Sequence, residues 1–144
     1  MIEIRYAVES DFNFIYRLSA KNSNLLGFVH PIEIRKSIED KKIIITLIDN
    51  QPGAFCIFNP LKRLSNQLTV SVICVDDIYR GNHIATKMIT FLMKTYNRNI
   101  KAICIKDSDS EKFWQRIAKK YEELPGNKRP ICKYIIYNDS NKLF

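Results

Sequence analysis

With 144 residues, 46% of them apolar, the chain is long enough for one well-buried core and too short for two ordinary domains. A formal net charge of +8 excludes an acidic, solvating chain and directs attention to anionic partners, whether nucleic acid, an anionic surface or a phosphate-bearing cofactor. The longest purely aliphatic runs span only a few residues and no charged-then-apolar leader opens the chain, so no membrane segment and a cytoplasmic location are expected.

Residues 2–8 alternate as a strand does, and Ser10-Asp11 offers an N-cap to a short helix with Phe12, Ile15 and Leu18 on one side. The polar stretch 20–28 reads as a loop. His30-Pro31 then starts a second helix with Pro31 in its first position and Ile34 and Ile38 facing inward. Residues 43–48 and 54–58, separated by Asp49-Asn50-Gln51-Pro52-Gly53, read as an antiparallel hairpin. A basic, polar connection (59–67) leads to the β-branched run 68–75, a buried strand that passes through Asp76-Asp77 into RGNHIA. A helix follows, its apolar face set by Ile84, Met88, Phe91 or Leu92, and Tyr96. Residues 100–105 form a further buried strand, parallel to the first because a helix intervenes. After a short acidic turn with Asp107 and Asp109 as caps, a helix is expected over 111–120, carrying Phe113, Ile117 and Tyr121 on one face. Strands over 122–124 and 131–137 close the chain around a Pro125-Gly126-Asn127 turn. Four widely spaced cysteines (Cys56, Cys74, Cys104, Cys132) lack any CxxC pairing and sit in apolar runs, so they read as buried reduced thiols, and no metal site is expected.

The strand-to-helix passage carries the chemistry. A helix that begins beside a sheet presents the unpaired N–H groups of its first turn and the positive end of its dipole, and Arg80 and Gly81 lie just ahead of it. The GxxxxGK[ST] arrangement of a Walker loop is missing, although Thr86-Lys87 is present. The order VDDIYRGNHIATKMI instead resembles the acyl-CoA-binding motif of the GNAT (GCN5-related N-acetyltransferase) superfamily: Arg or Gln, two variable positions, Gly, one variable position, then Gly or Ala. Arg80 and Ala85 match the ends of the pattern and Gly81 its common Arg-Gly start, whereas His83 stands where the central Gly is expected. The strand, helix and hairpin after the motif, with Phe113-Trp114 in that helix, extend the resemblance over about residues 2–137, leaving a polar tail at 138–144.

The resemblance implies a single-domain α/β fold, a GNAT-like mixed sheet with helices on both faces. It implies acetyl-CoA as co-substrate, an amine as acceptor, and direct attack of the amine on the thioester. Arg80, Gly81, Asn82, His83, Ile84 and Ala85 would cradle the pyrophosphate. Backbone groups at Cys74 and Val75 would pair with the pantetheine arm in a slot between two diverging strands, and Trp114 would wall that slot. The family's usual pair, a Glu on the central strand and a Tyr after the Phe of the next helix, is missing: residues 68–75 offer only Thr69 and Ser71 as polar side chains, and Trp114 follows Phe113. Tyr121 as acid and His30 on the acceptor side are the replacements considered, against core packing for Tyr121 and a helix-start role for His30. Two other readings stand beside this one: modification of a nucleic-acid-linked group, held by the basic surface, and a degenerate GNAT-fold binding module. GNAT folds often dimerise, so a homodimer is one implied state, but no stretch identifies an interface.

Overall fold

The computed structural model describes residues 1–22, 29–60, 67–105, 109–117, 120–124 and 131–136. In chain order these form β1 (Ile2–Tyr6), α1 (Phe12–Lys21), α2 (Pro31–Glu39), β2 (Ile43–Ile48), β3 (Gln51–Asn59), β4 (Gln67–Val75), α3 (Ile84–Tyr96), β5 (Asn99–Ile105), α4 (Asp109–Ile117), β6 (Lys120–Leu124) and β7 (Ile131–Ile136). Short 3-10 turns at Glu9–Asp11 and Asp77–Tyr79 precede α1 and follow β4. Two compact units emerge, one of Met1–Phe58 with Val72–Phe91, the other of Asn59–Ser71 with Leu92–Phe144. β4 and α3 contribute residues to both, so neither unit is a separate domain along the sequence.

In the first unit the strands follow in the order β1-β2-β3 and then β4. β1 and β2 are antiparallel, with Ile4 opposite Thr46, and β2 and β3 are antiparallel, with Ile45 opposite Phe55. The hairpin turn is shorter than the sequence suggests. Asp49 (φ +50) and Asn50 (φ +69) alone make it, the paired positive φ values that a two-residue turn between twisted strands requires. β3 therefore starts at Gln51, and a register shift between Thr46 and Leu47 admits Pro52, which has no N–H to give to the ladder.

Successive strand residues face opposite sides, yet Ile43, Ile44, Ile45 and Thr46 all have 0% exposure, so β2 is covered on both faces. Ile15 and Leu18 of α1 and Ile34 and Ile38 of α2 join Ile43, Phe55 and Cys74 in one apolar cluster, with Val72 packed against it. Pro31 does occupy the first position of α2, with the His30 carbonyl accepting from Ile34 N–H. β1 ends at Tyr6, two residues short of the alternation. Asp11 does not cap α1 through its side chain; its carboxylate accepts from the Val8 amide at 2.8 Å and from the Arg5 guanidinium at 2.8 and 3.3 Å.

In the second unit the start of β4 runs parallel to β5, from Gln67 opposite Asn99 to Val70 opposite Ala102, as expected from the helix between them. β7 is antiparallel to β5 and β6 antiparallel to β7, in the order β5-β7-β6. One expectation fails here. α4 stops at Ile117, and Tyr121 is not on its apolar stripe but in β6, its backbone opposite Tyr134. The helical spacing Phe113, Ile117, Tyr121 is accidental; a strand edge along β7 wins the segment from Lys120 onward. The expected cap at Asp107, the Pro125-Gly126-Asn127 turn and the tail 138–144 lie outside the described residues.

No described helix is long and apolar enough to cross a membrane.

Candidate functional site

The segment joining β4 to α3 lies wholly in the first unit, and three features shape it. Asp76 donates its backbone N–H to the Gly53 carbonyl at 2.8 Å, extending the tie between β3 and β4 one residue past the strand. A single 3-10 turn follows, with the Asp76 side chain accepting from Ile78 N–H at 3.4 Å and its carbonyl accepting from Tyr79 N–H at 2.9 Å. The chain then reverses through Gly81 (φ +86) and His83 (φ +58) before α3 begins at Ile84. At Gly81 the left-handed conformation is free for a residue without Cβ, whereas at His83 an L residue bears it at a cost of about 1–2 kcal/mol. The position where the motif leads one to expect Gly thus has a backbone conformation that glycine favours.

The His83 carbonyl already accepts from Lys87 N–H at 3.0 Å, so the helix is hydrogen-bonded from its first turn. The N–H groups of Ile84, Ala85 and Thr86 are those a helix leaves without an intrahelical acceptor. Ile84 is 2% exposed and anchors the turn in the core, while Gly81, Asn82 and His83 are exposed. Met88, Ile89 and Leu92 continue the buried face of α3; Ile89 takes a place the sequence reading left out, and Phe91 and Tyr96 are only half-buried. Asn82 folds back, its Nδ2 donating to the Tyr79 carbonyl at 3.0 Å.

The Arg80 guanidinium is engaged by the protein itself. Nε donates to the Val75 carbonyl at 3.1 Å, Nη2 to Asn22 Oδ1 at 3.2 Å, and Nη1 pairs with Asp77 Oδ1 at 2.9 Å. Lys21 reaches the other oxygen of Asp77 at 3.5 Å. Both ion pairs are half exposed and add little to stability, but they collect two cations at the loop. Cys74, 5% exposed, turns its side chain into the α1–α2 cluster and leaves only its backbone for any ligand. Burial pushes its thiol up to about 12, with Arg80 acting in the opposite direction, so no thiolate nucleophile forms there near neutral pH.

Of the residues singled out from the sequence, the structure brings Cys74, Val75, Arg80, Gly81, Asn82, His83, Ile84 and Ala85 together in this one passage. His30 also belongs to the first unit, exposed at the start of α2. Trp114 belongs to the second unit, 3% exposed and edge-on to Phe113 with ring centroids 4.9 Å apart. The Tyr121 side chain lies outside the described residues. Lys21, Asn22, Gly53 and Tyr79 escaped the sequence reading. A Cβ on Gly53 would lie 2.6 Å from the Tyr79 ring and 2.3 Å from Ile48 Cδ1, so Gly53 is the gap that seats Tyr79 beneath the loop. No local pattern signals contacts between such distant positions. Among the described residues no group of side chains could hold a metal ion.

No family model and no curated sequence matches the chain. Solved structures do. An N-acetyltransferase from Staphylococcus aureus Mu50 superposes with a TM-score of 0.73 at 17% identity, covering 95% of this chain and 98% of that one. The acetyltransferase of Salmonella typhimurium that modifies the N-terminal serine of ribosomal protein L7/L12 gives 0.73 at 18% identity, covering 94% of each. N-acetylglutamate synthase from Neisseria gonorrhoeae, complexed with coenzyme A and N-acetyl-glutamate, gives 0.74 at 11% identity over 95% of this chain, which spans only 35% of that enzyme.

Proposed function

We propose that this chain, which has the GNAT-superfamily fold, is an acyl-CoA-dependent N-acyltransferase, most simply one that moves acetyl from acetyl-CoA to an amine, with residues 1–137 as the acyltransferase domain. The observation that carries the reading is the β4–α3 passage: left-handed residues at Gly81 and His83 directly before a 13-residue helix, with Arg80 and Lys21 beside it. Such a turn offers backbone donors and positive charge to a diphosphate without a flexible side chain having to be ordered.

In this reading Arg80, Gly81, Asn82, His83, Ile84 and Ala85 form the pyrophosphate cradle, and the backbone at Cys74 and Val75 pairs with the pantetheine amides. The amine attacks the thioester carbonyl, the new C–N bond forms, and collapse of the tetrahedral oxyanion breaks the C–S bond. The amine gives up a proton and the departing thiolate takes one up. β4 supplies neither an acid nor a base, since its polar side chains are Gln67, Thr69 and Ser71. His30 on the acceptor side and Tyr121 as proton donor are the assignments to test. With positioning supplying most of the rate enhancement, loss of either should lower turnover rather than abolish it.

Titration calorimetry of nucleic-acid-free protein with acetyl-CoA, with dephospho-CoA as control, tests the cradle. Binding in the micromolar range, about −8 kcal/mol, is expected; no heat and no competing bound ligand would overturn the reading. An acceptor screen by release of free CoA thiol follows. The net charge of +8 favours a second version in which the acceptor is carried on nucleic acid. Nucleic acid that co-purifies and leaves with salt would support that version.

A further inference from the structure

Asn22 closes α1 and is 8% exposed. The two ends of its amide face different elements: Nδ2 donates to the Leu18 carbonyl at 2.9 Å, and Oδ1 accepts from Arg80 Nη2 at 3.2 Å, 58 residues away along the chain. Closing a helix C-terminus needs only donors, because carbonyls are the groups left over there. Among the described residues, the acceptor half of Asn22 serves Arg80. Arg80 in turn gives Nε to the Val75 carbonyl and Nη1 to Asp77, so each of its three nitrogens points at a fixed partner.

The remaining contacts of the loop fall into two kinds. Tyr79 N–H to Asp76, Arg80 N–H to Asp77 and Asn82 to Tyr79 are bonds within the loop and leave it free to move as a body. Among the described residues the ties outward are the Asp76 amide on Gly53, the Tyr79 ring against Gly53, the Lys21–Asp77 pair, and Arg80 on Asn22. The first two hold the loop to β3. Of the two that reach α1, the Lys21–Asp77 pair is exposed on both sides and screened by salt, whereas Asn22 brings a buried amide to the half-exposed Arg80.

We infer that Asn22 is a positioning residue for the anion-binding loop: its buried amide fastens Arg80 to the end of α1, and Arg80 thereby sets the backbone of Gly81, Asn82 and His83. The inference rests on the acyl-CoA reading only for its effect on affinity. Its effect on the loop is independent of any ligand.

The test uses the full chain with Asn22→Ala, Asn22→Asp, Arg80→Ala and the Asn22→Ala/Arg80→Ala pair. Asn22→Asp keeps an acceptor for Arg80 and loses the donor to Leu18, whereas Asn22→Ala loses both. Amide hydrogen exchange of residues 77–83 should quicken about tenfold in Asn22→Ala and at least as much in Arg80→Ala, which also loses the ties to Val75 and Asp77. The double variant should add nothing further, and Asn22→Asp should stay within about threefold of wild type. Acetyl-CoA affinity should follow the same order, about tenfold weaker for Asn22→Ala, or 1.4 kcal/mol. Equal effects of Asn22→Ala and Asn22→Asp would show that the residue only closes α1 and would overturn the inference, as would unchanged exchange in Asn22→Ala. Should Asn22→Ala fail to fold, Arg80→Ala against Asn22→Asp decides: quickened exchange in the first alone supports the link, and unchanged exchange in both removes it. Wild-type protein that does not bind acetyl-CoA but shows the exchange pattern would end the acyl-CoA reading and leave the positioning role standing.

Discussion

Replacing His83 separates what its backbone costs from what its imidazole does. With φ at +58, the residue bears about 1–2 kcal/mol of left-handed strain that glycine would not. Glycine also loses more freedom on folding, which costs about 0.4–1 kcal/mol. His83→Gly should therefore match or exceed wild-type stability, by at most about 1.6 kcal/mol. His83→Ala keeps the Cβ and the strain but lacks the imidazole, and should fall about 1 kcal/mol below His83→Gly. For a chain of 144 residues that difference corresponds to a few degrees in Tm, about 2–4 °C. Urea unfolding followed by the fluorescence of Trp114, the chain's single tryptophan, measures it. His83→Ala as stable as His83→Gly would refute the argument from backbone conformation. In parallel, under the proposed acyl-CoA reading, removal of the His83 Cβ from the cradle should tighten acetyl-CoA binding about three- to tenfold, up to about 1.4 kcal/mol. A loss of affinity in His83→Gly with no loss in stability would mean that the imidazole itself makes a contact worth more than the space it takes.

Three further outcomes are expected. Gly53→Ala forces the Tyr79 ring aside, since the new methyl would stand 2.6 Å from it, and should cost about 1–3 kcal/mol with a matching fall in acetyl-CoA affinity; lowered Tm with unchanged affinity would break the link between Gly53 and the loop. Burial pushes the Asp11 carboxyl up, but the Arg5 guanidinium and the Val8 amide outweigh it and hold the carboxyl below its ordinary range. Its contribution is thus complete above the unfolded carboxylate range and is lost as pH falls through the lower, folded value. The stability gap between wild type and Asp11→Asn should be about 1–3 kcal/mol at pH 7 and close in acid below about pH 4; a gap independent of pH would contradict the assignment. Finally, Cys56 and Cys74 should resist alkylation at pH 8 until the protein unfolds, because burial holds both thiols protonated and out of reach. Mapping the modified cysteines by mass spectrometry checks this, and rapid labelling of Cys74 in native protein would oppose its place in the core.

Periodicity reveals what neighbours in sequence decide. The β2–β3 hairpin, the strand-to-helix order at β4 and α3, and Pro31 at the head of α2 all rest on local preferences that the fold keeps. The failures come where a distant partner decides. Tyr121 continues a helical spacing, but pairing with β7 draws it into β6. Asp11 has the chemistry of an N-cap, but Arg5 and Val8 claim its carboxylate. The loop motif itself was legible because Arg80, Gly81 and Ala85 lie within six residues. Its support was not: Asn22 and Gly53 are joined to it only through space, and neither residue type marks such a role in advance.

The division of the chain into 1–58 with 72–91 and 59–71 with 92–144 also bears on synthesis. Every residue of the first unit, including the whole β4–α3 passage, has been made once Phe91 is joined, whereas the second waits for the C-terminal segment. On a ribosome that adds residues one at a time, the first unit can therefore close before β5 and the later strand β7 have emerged. In that interval the hydrogen-bonding edge that the first half of β4 offers to β5 has no occupant, since β5 begins only at Asn99. A nascent chain arrested shortly after Phe91 has emerged would consequently combine a nearly formed β4–α3 turn with an open strand edge, a state in which chaperone capture competes with completion of the sheet.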